Sequence, residues 1–165
     1  MVTFFPQDIL FTPDQTSSSI FRKLLQNMLK KGNKKRAQQL LLHVIFLVQK
    51  MYPTVPKDQV FVQAIRNIQP SFEFKKARVG GMSQFIPGAK KPDKQENLAI
   101  RWMMDIARQK QRKAKVLKTK HYGFEYFLAQ EIISAYKNES ELTTKKLEMH
   151  RLAETNRALA YQRWW

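Results

Sequence analysis

Apolar residues recur every three or four positions over most of the chain, which is the spacing of an amphipathic helix. In the first such stretch Ile20, Leu24 and Met28 fall on one face, and Ser18 or Ser19 can serve as the N-cap. The second stretch is apolar nearly all round in its middle, which predicts a central helix. The pattern predicts six helices, at residues 19–31, 35–51, 57–69, 93–109, 124–137 and 143–162.

Between the third and fourth helices the hydrophobic period changes to two. Phe72 and Phe74 lie on one side of an alternating stretch, with polar residues on the other. Gly80–Gly81 is a turn signal, and residues 84–87 can form the return strand. The sequence therefore predicts a mainly α fold, a six-helix bundle with a protruding two-stranded β-hairpin at about residues 71–88.

Two segments lack any apolar period. Residues 1–19 contain Pro6, Pro13 and a run of serines, and they predict a flexible N-terminal arm. Residues 109–123 are basic and poor in apolar side chains, and they predict a long basic loop. With 43% hydrophobic residues, a chain of 165 residues can form one core of ordinary size. Residues 20–165 are therefore expected to form a single helical domain.

The chain has a large excess of positive charge. It contains 30 Lys and Arg residues against 13 Asp and Glu, a formal net charge of +17 at pH 7. A compact chain with such an excess repels itself, which is typical of proteins that bind a polyanion; a merely soluble cationic domain is the alternative. The longest apolar run, residues 40–48, is far shorter than the roughly 20 residues of a membrane span. We therefore expect nucleic acid, and not a membrane, as the partner.

The positive residues form three runs that contain almost no acid, at residues 22–36, 75–94 and 101–120. A single run is equally well a solvated helix face. Three runs at predicted helix ends or at the hairpin favour binding to phosphates, because each neutralised phosphate releases counterions. The candidate nucleic-acid-binding residues are Arg22, Lys23, Lys30, Lys31, Lys34, Lys35, Arg36, Lys75, Lys76, Arg78, Arg101, Arg108, Arg112, Lys113 and Lys115.

Patterns that carry catalysis or bind metals are missing from the sequence. It has no cysteine, its three histidines lie far apart, and it contains no P-loop, GxSxG or HExxH spacing. His43 lies within an apolar run and is expected in the core. We therefore expect no enzymatic activity and no metal, cofactor or small-molecule substrate. The acids that could form an acid–base pair, if the fold brought them together, are Glu73, Glu96, Asp105 and Glu131.

Two other classes of function stay open at this point. A helical architectural protein on duplex DNA would have the same charge but no preference for RNA. An RNA-modifying enzyme would need a cofactor cradle or a pair of groups with tuned pKa values, and the sequence shows neither.

Five segments stand out by their order and spacing. They read MLKKGNKKRA (28–37), AIRNIQPSFEFK (64–75), ARVGGMSQFIP (77–87), LAIRW (98–102) and HRLAETNRALAYQRWW (150–165). Together they resemble the universal S-seven family, the seventh protein of the small ribosomal subunit, from about residue 20 to the end.

This resemblance implies a helical fold with a protruding β-ribbon and a structural role. The family binds the 3′ major domain of small-subunit rRNA and nucleates assembly of the head, beside neighbouring head and platform proteins. Its ribbon lies near the exit-site tRNA and the mRNA path, and here the corresponding residues are Arg78, Val79, Gly80, Gly81 and Met82. The family's rRNA contacts would fall on Lys34, Lys35, Arg36, Lys75, Lys76, Arg78, Arg101 and Arg108.

The chain also departs from the bacterial pattern. Residues 1–19 carry no positive charge where bacterial members have a basic arm, and the region of residues 109–123 is longer and mostly basic. The long basic region and the terminal Trp164–Trp165 resemble mitochondrial members of plants and protists. We therefore expect a protein of the mitochondrial small subunit, located in the matrix. The lack of a basic leader predicts that the organelle encodes it.

Overall fold

The computed structural model describes residues 15–117 and 122–163. It confirms a mainly helical fold with a two-stranded antiparallel hairpin. The elements in chain order are α1 (Gln15–Met28), α2 (Lys34–Met51), α3 (Lys57–Ile68), β1 (Phe72–Val79), β2 (Met82–Ala89), α4 (Pro92–Val116), α5 (Phe124–Tyr136) and α6 (Glu141–Thr155), followed by a 3₁₀ helix (Arg157–Gln162).

Helix α5 lies at the centre of the bundle and packs against α2, α3 and α4. Leu128 and Ile132 of α5 are fully buried, and Phe21 of α1 packs against Phe61 of α3 with ring centroids 5.1 Å apart. Helix α2 was predicted to be central, which is wrong in part. Its outer face leaves Phe46 63% exposed, and His43, expected in the core, is exposed as well. An apolar run is therefore not enough to show which helix the others surround.

Several helix boundaries differ from the predicted ones. Helix α1 begins at Gln15, so Ser18 and Ser19 lie inside it and do not cap it. The rest of the predicted arm, residues 1–14, lies outside the described residues. Helix α6 begins after Ser140, whose Oγ accepts the Leu142 N–H at 3.0 Å. A serine hydroxyl commonly caps the start of a helix in this way. At the other end, the last turns predicted as part of α6 form a 3₁₀ helix and not an α-helix.

The predicted loop at residues 109–123 is largely wrong, because α4 continues to Val116. Its low hydrophobicity suggested a loop, but Gln, Arg, Lys and Ala are among the strongest helix formers. Ala107 is the last fully buried residue of the helix. Residues 108–116 therefore form a basic helical extension that leaves the core, while residues 118–121 lie outside the described part.

The hairpin matches its prediction closely. β1 pairs with β2 in a register that runs from Phe72 opposite Ala89 to Val79 opposite Met82. Gly80 and Gly81 connect the strands with φ values of 56° and 85°. Two successive positive φ angles define the tight hairpin turn whose twist matches that of the strands, and glycine adopts them at no steric cost.

The base of the hairpin is fixed to the end of the bundle. Ile86 and Pro87 are buried, and the ring of Phe72 packs edge-on against His150 of α6 at 5.4 Å. His150 Nε2 also accepts the Ser71 N–H at 3.3 Å. The hairpin therefore has a fixed base and a tip that extends into solvent.

Three helices meet at the buried side chain of Glu131 in α5, which has no exposed surface. Lys110 Nζ of α4 lies 2.6 Å from its Oε2, and the Ser140 hydroxyl at the start of α6 donates to its Oε1. A buried carboxylate needs such partners, because its desolvation is otherwise very costly.

We predict that Lys110→Met lowers the free energy of unfolding by about 2–3 kcal/mol, since it leaves the Glu131 carboxylate buried without its counter-charge. The expected loss is small for the breaking of a buried ion pair, because Lys110 is 34% exposed and water screens the pair. Urea unfolding measures the effect. Lys113→Met, on the exposed side of the same helix, is the control and should change stability by less than about 0.5 kcal/mol. Equal losses in the two variants would contradict the prediction.

Candidate nucleic-acid interface

A surface cleft of about 740 Å³ opens where the turn between α1 and α2 faces the second half of α4 and the start of α5. Its floor is apolar and its rim is mostly cationic. The lining residues are Met28, Lys30, Lys31, Asn33, Arg36, Ala37, Leu40, Met104, Arg108, Gln111, Gly123, Phe124 and Glu125. We call it the α1–α4 cleft.

The α1–α4 cleft brings together two of the three acid-poor runs. Lys30, Lys31 and Arg36 come from the first run, and Arg108 comes from the run on α4. Lys34 and Lys35 are exposed in the first turn of α2, beside the cleft. The third run, with Lys75, Lys76 and Arg78, is on the hairpin and lines no part of the cleft. Two of the three runs therefore meet at one cleft, and the third lies apart from it on the hairpin.

The turn that carries the cleft's lysines has an unusual backbone. Lys31 and Gly32 both have positive φ, at 51° and 74°. The turn is closed by bonds from Asn33 N–H to Lys30 O at 3.1 Å and from Lys34 N–H to Gly32 O at 2.8 Å. Glycine adopts such angles freely, whereas a lysine is strained there by about 1–2 kcal/mol. Backbone strain of this kind is found most often at functional sites.

Several of the candidate cations already have partners within the protein. Lys23 Nζ lies 2.6 Å from Glu96 and 3.2 Å from Asp93, and its side chain is 16% exposed. Burial alone would lower the pKa of Lys23, but hydrogen bonds and charge from both acids together raise it. Lys23 thus fixes α1 to α4, and its charge is already neutralised. Arg108 makes only an exposed contact with Asp105 at 3.4 Å, which is weak.

Most of the other candidates are open to a ligand. Within residues 15–117 and 122–163, the following candidates are exposed and form no ion pair: Arg22, Lys30, Lys31, Lys34, Lys35, Arg36, Lys76, Arg78, Arg101, Arg112, Lys113 and Lys115. Lys75 is exposed too. Because several of these cations surround one cleft, their fields add there, and an anionic ligand is attracted to that side.

The four acids considered for acid–base chemistry do not meet. Glu96 pairs with Lys23, Asp105 with Arg108, Glu131 with Lys110, and Glu73 with Lys90 at 3.1 Å. The described residues contain no group of three His, Asp or Glu side chains able to hold a metal ion. In the same part of the chain, no helix is long and apolar enough to cross a membrane.

The uncharged lining of the cleft was not predicted from the sequence. Met104, Arg108 and Gln111 have the spacing i, i+4 and i+7, which places them on one helical face. That face was hidden because residues from 109 onward were predicted as a loop. Asn33 and Phe124 come from separate elements, and no spacing rule connects them with α4.

A basic helical bundle with an acid-poor cleft and a protruding hairpin is typical of a nucleic-acid-binding protein. Residues 4–157 match the family model of ribosomal protein S7p/S5e. The chain therefore belongs to this family, and it is a structural component of the small ribosomal subunit and not an enzyme.

Bacterial members of the family are similar over nearly the whole chain. The small ribosomal subunit protein uS7 of Thermodesulfovibrio yellowstonii is 35% identical over 152 residues, 92% of each chain. That of Thermotoga petrophila is 34% identical over 142 residues, 86% of this chain and 85% of the relative. That of Lactobacillus delbrueckii is 31% identical over 157 residues, 95% and 94%. These relatives support the family but not the mitochondrial subtype, which stays a prediction.

We predict that Lys31→Gly weakens RNA binding while leaving the fold as stable or slightly more stable. Glycine removes the backbone strain of the positive φ at residue 31, which stabilises the folded state. Glycine also has more conformational freedom in the unfolded state, which offsets part of this gain. The free energy of unfolding should therefore change by at most about 1 kcal/mol. Lys31→Gln, which removes the charge but keeps the strain, is the matched control for stability. Both variants should lose the same affinity in a filter-binding titration. If the glycine variant bound RNA like the wild type, Lys31 would have no role in binding.

Proposed function

We propose that this protein binds the 3′ major domain of small-subunit rRNA and nucleates assembly of the subunit head. One observation carries the proposal: two acid-poor runs, distant in sequence, meet at the α1–α4 cleft with Lys30, Lys31, Arg36 and Arg108 on its rim. Membership of a family of small-subunit proteins supports an RNA ligand. The rRNA-binding surface would be the cleft together with the exposed cations on either side of it.

The proposed surface has two parts around the cleft. The first is the start of α2, where Lys34 and Lys35 are exposed. The second is the helical extension of α4, where Arg112, Lys113 and Lys115 are exposed over a little more than one turn. A folded RNA helix offers mainly phosphates and 2′-hydroxyl groups to such surfaces, because its major groove is deep and narrow. Lys23 would position α1 on α4 and would not itself contact RNA.

We propose a separate role for the hairpin tip. Arg78 and Met82 are exposed there, Met82 by 72%, and neither lines the cleft. A fixed base and an exposed tip suit contacts beyond the primary rRNA site. The proposed partners are the exit-site tRNA, the mRNA path and neighbouring head and platform proteins. Phe85, which is also exposed on β2, is suited to a protein neighbour.

We also propose that the ribosome in question is mitochondrial. The proposal rests on the sequence alone, on the long basic region that ends α4 and on the terminal Trp164–Trp165. Sedimentation of purified mitochondrial ribosomes, followed by mass spectrometry of the small subunit, tests it. Recovery of the chain only from another compartment's ribosomes would refute the location and leave rRNA binding untouched.

We predict that the chain prefers the 3′ major domain to a scrambled RNA of equal length at about 0.3 M salt, where loose electrostatic binding is weakened. Lys34→Gln should reduce the slope of log K against log salt by about 0.7–0.9, the contribution of one phosphate contact. Lys50→Gln, at the opposite end of α2, is the matched control and should leave the slope unchanged.

Equal binding of both RNAs at this salt concentration would reject a specific rRNA site. If duplex DNA competed as well as the rRNA domain, the protein would be a helical architectural protein instead.

We predict that shortening the hairpin tip, residues 77–82, leaves affinity for the 3′ major domain within about twofold of wild type, because the tip lies outside the cleft. The same variant should alter tRNA release or subunit contacts in assembled ribosomes. A filter-binding titration and a tRNA-release assay separate the two roles. Loss of rRNA binding in the shortened variant would show that the hairpin belongs to the primary site.

A further inference from the structure

The α1–α4 cleft has a floor that phosphate binding does not require. Met28, Ala37 and Met104 are buried at its base, and Leu40 and Phe124 are half-buried beside them. Phosphates would contact only the charged rim and would leave the partly exposed Leu40 and Phe124 against water. Apolar surface in a concave site is stabilised when a ligand covers it. The occupant that fits the floor therefore has a flat apolar face.

The cleft also offers groups that can recognise a polar edge. The side-chain amides of Asn33 and Gln111 line it, and neither makes a hydrogen bond with another side chain or backbone group in the described residues. Each amide can donate and accept at once, which matches the mixed edge of a nucleobase. Glu125, the one acid of the lining, can accept from an exocyclic amino group. These groups lie on the same cleft as the apolar floor.

The rim supplies the remaining feature, positive charge for the backbone of the same nucleotide. Lys31 and Arg36 come from the α1–α2 turn, and Arg108 comes from α4. Lys31 lies on this rim with its backbone at a positive φ. A volume of about 740 Å³ falls within the range of sites that enclose small organic ligands. An apolar floor, polar amides and a cationic rim are the complement of one nucleotide.

We propose that the α1–α4 cleft receives a single unpaired nucleotide of the bound RNA. Its base lies against Leu40 and Phe124, the partly exposed residues of the floor, and its edge meets Asn33 and Gln111. Its flanking phosphates lie against Lys31, Arg36 and Arg108. Unpaired bases are what proteins read most readily in RNA, since the grooves of its helices hide sequence. This inference rests on the proposed function and adds that the site is specific for an unstacked base.

The test blocks the cleft without changing its charge. Gln111→Trp places a large side chain on the face shared with Met104 and Arg108, and should exclude the base. Gln109→Trp is the matched control, since residue 109 is exposed on the same helix and lines no part of the cleft. Thermal unfolding of both variants confirms that they fold. The RNA is the 3′ major domain at about 0.3 M salt.

Two footprints are read on the same complexes. Dimethyl sulfate reports whether the Watson–Crick edge of an unpaired adenine or cytosine is covered, a carbodiimide reports the same for uracil and guanine, and hydroxyl radicals report whether the backbone is covered. With wild type and Gln109→Trp we expect one unpaired base to be protected within the backbone footprint. With Gln111→Trp we expect that base to become reactive while the backbone footprint remains. Affinity should fall on the order of 10- to 100-fold, the usual effect of losing one stacked base, with an unchanged salt slope.

The other outcomes are equally clear. If Gln111→Trp leaves the base protected, the base lies elsewhere and the inference is wrong. If wild type protects the backbone and no unpaired base, rRNA binding stands but the cleft holds something else, such as an apolar side chain of a neighbouring protein. If wild type gives no backbone footprint at this salt concentration, the proposed rRNA binding fails and the nucleotide site fails with it.

Discussion

The carboxylate of Glu131 lies where α4, α5 and the start of α6 come together, and it has no contact with water. Lys110 supplies its counter-charge from α4, and Ser140 supplies a hydroxyl donor while also capping α6. One buried charge thus fixes the position of two helices on the central one. Because α4 forms one wall of the cleft, the distance between Arg108 and the α1–α2 turn depends on this contact. The basic extension begins from the same anchored turn.

The few acids of the chain explain why its cations point outward. Glu131, Glu96 and Glu73 each hold one lysine against the bundle or along the hairpin, so a share of the 13 acids serves packing. Most of the exposed lysines and arginines form no ion pair within residues 15–117 and 122–163, and they repel one another across the surface. That repulsion destabilises the free protein, and a polyanion removes it on binding. In the proposed function, the paired charges stabilise the fold and the exposed cations bind RNA.

The sequence predicted the parts of the fold that depend on local pattern. The hairpin followed from alternation and from Gly80–Gly81, whose positive φ values the turn requires. The error at residues 109–116 arose because hydrophobicity was used where helix propensity decides, and it concealed the face shared by Met104 and Gln111. The cleft itself could not be predicted, since its walls come from four helices, α1, α2, α4 and α5. Burial of Glu131 depends in the same way on partners that are distant in the chain.

The helical state of the α4 extension changes what its charges can do. A flexible loop would lose conformational entropy on binding, whereas a helix holds Arg112, Lys113 and Lys115 in place beforehand. Residues 108–116 extend about 13 Å beyond the last buried turn, at 1.5 Å per residue. Arg108 and Arg112 are four residues apart and repel each other by about 0.2–0.5 kcal/mol. The cations in the last turn of α4 interact favourably with the helix C-terminus, which offsets this repulsion. The extension therefore continues the cleft wall as a rigid cationic edge, which lengthens the surface that one RNA can contact.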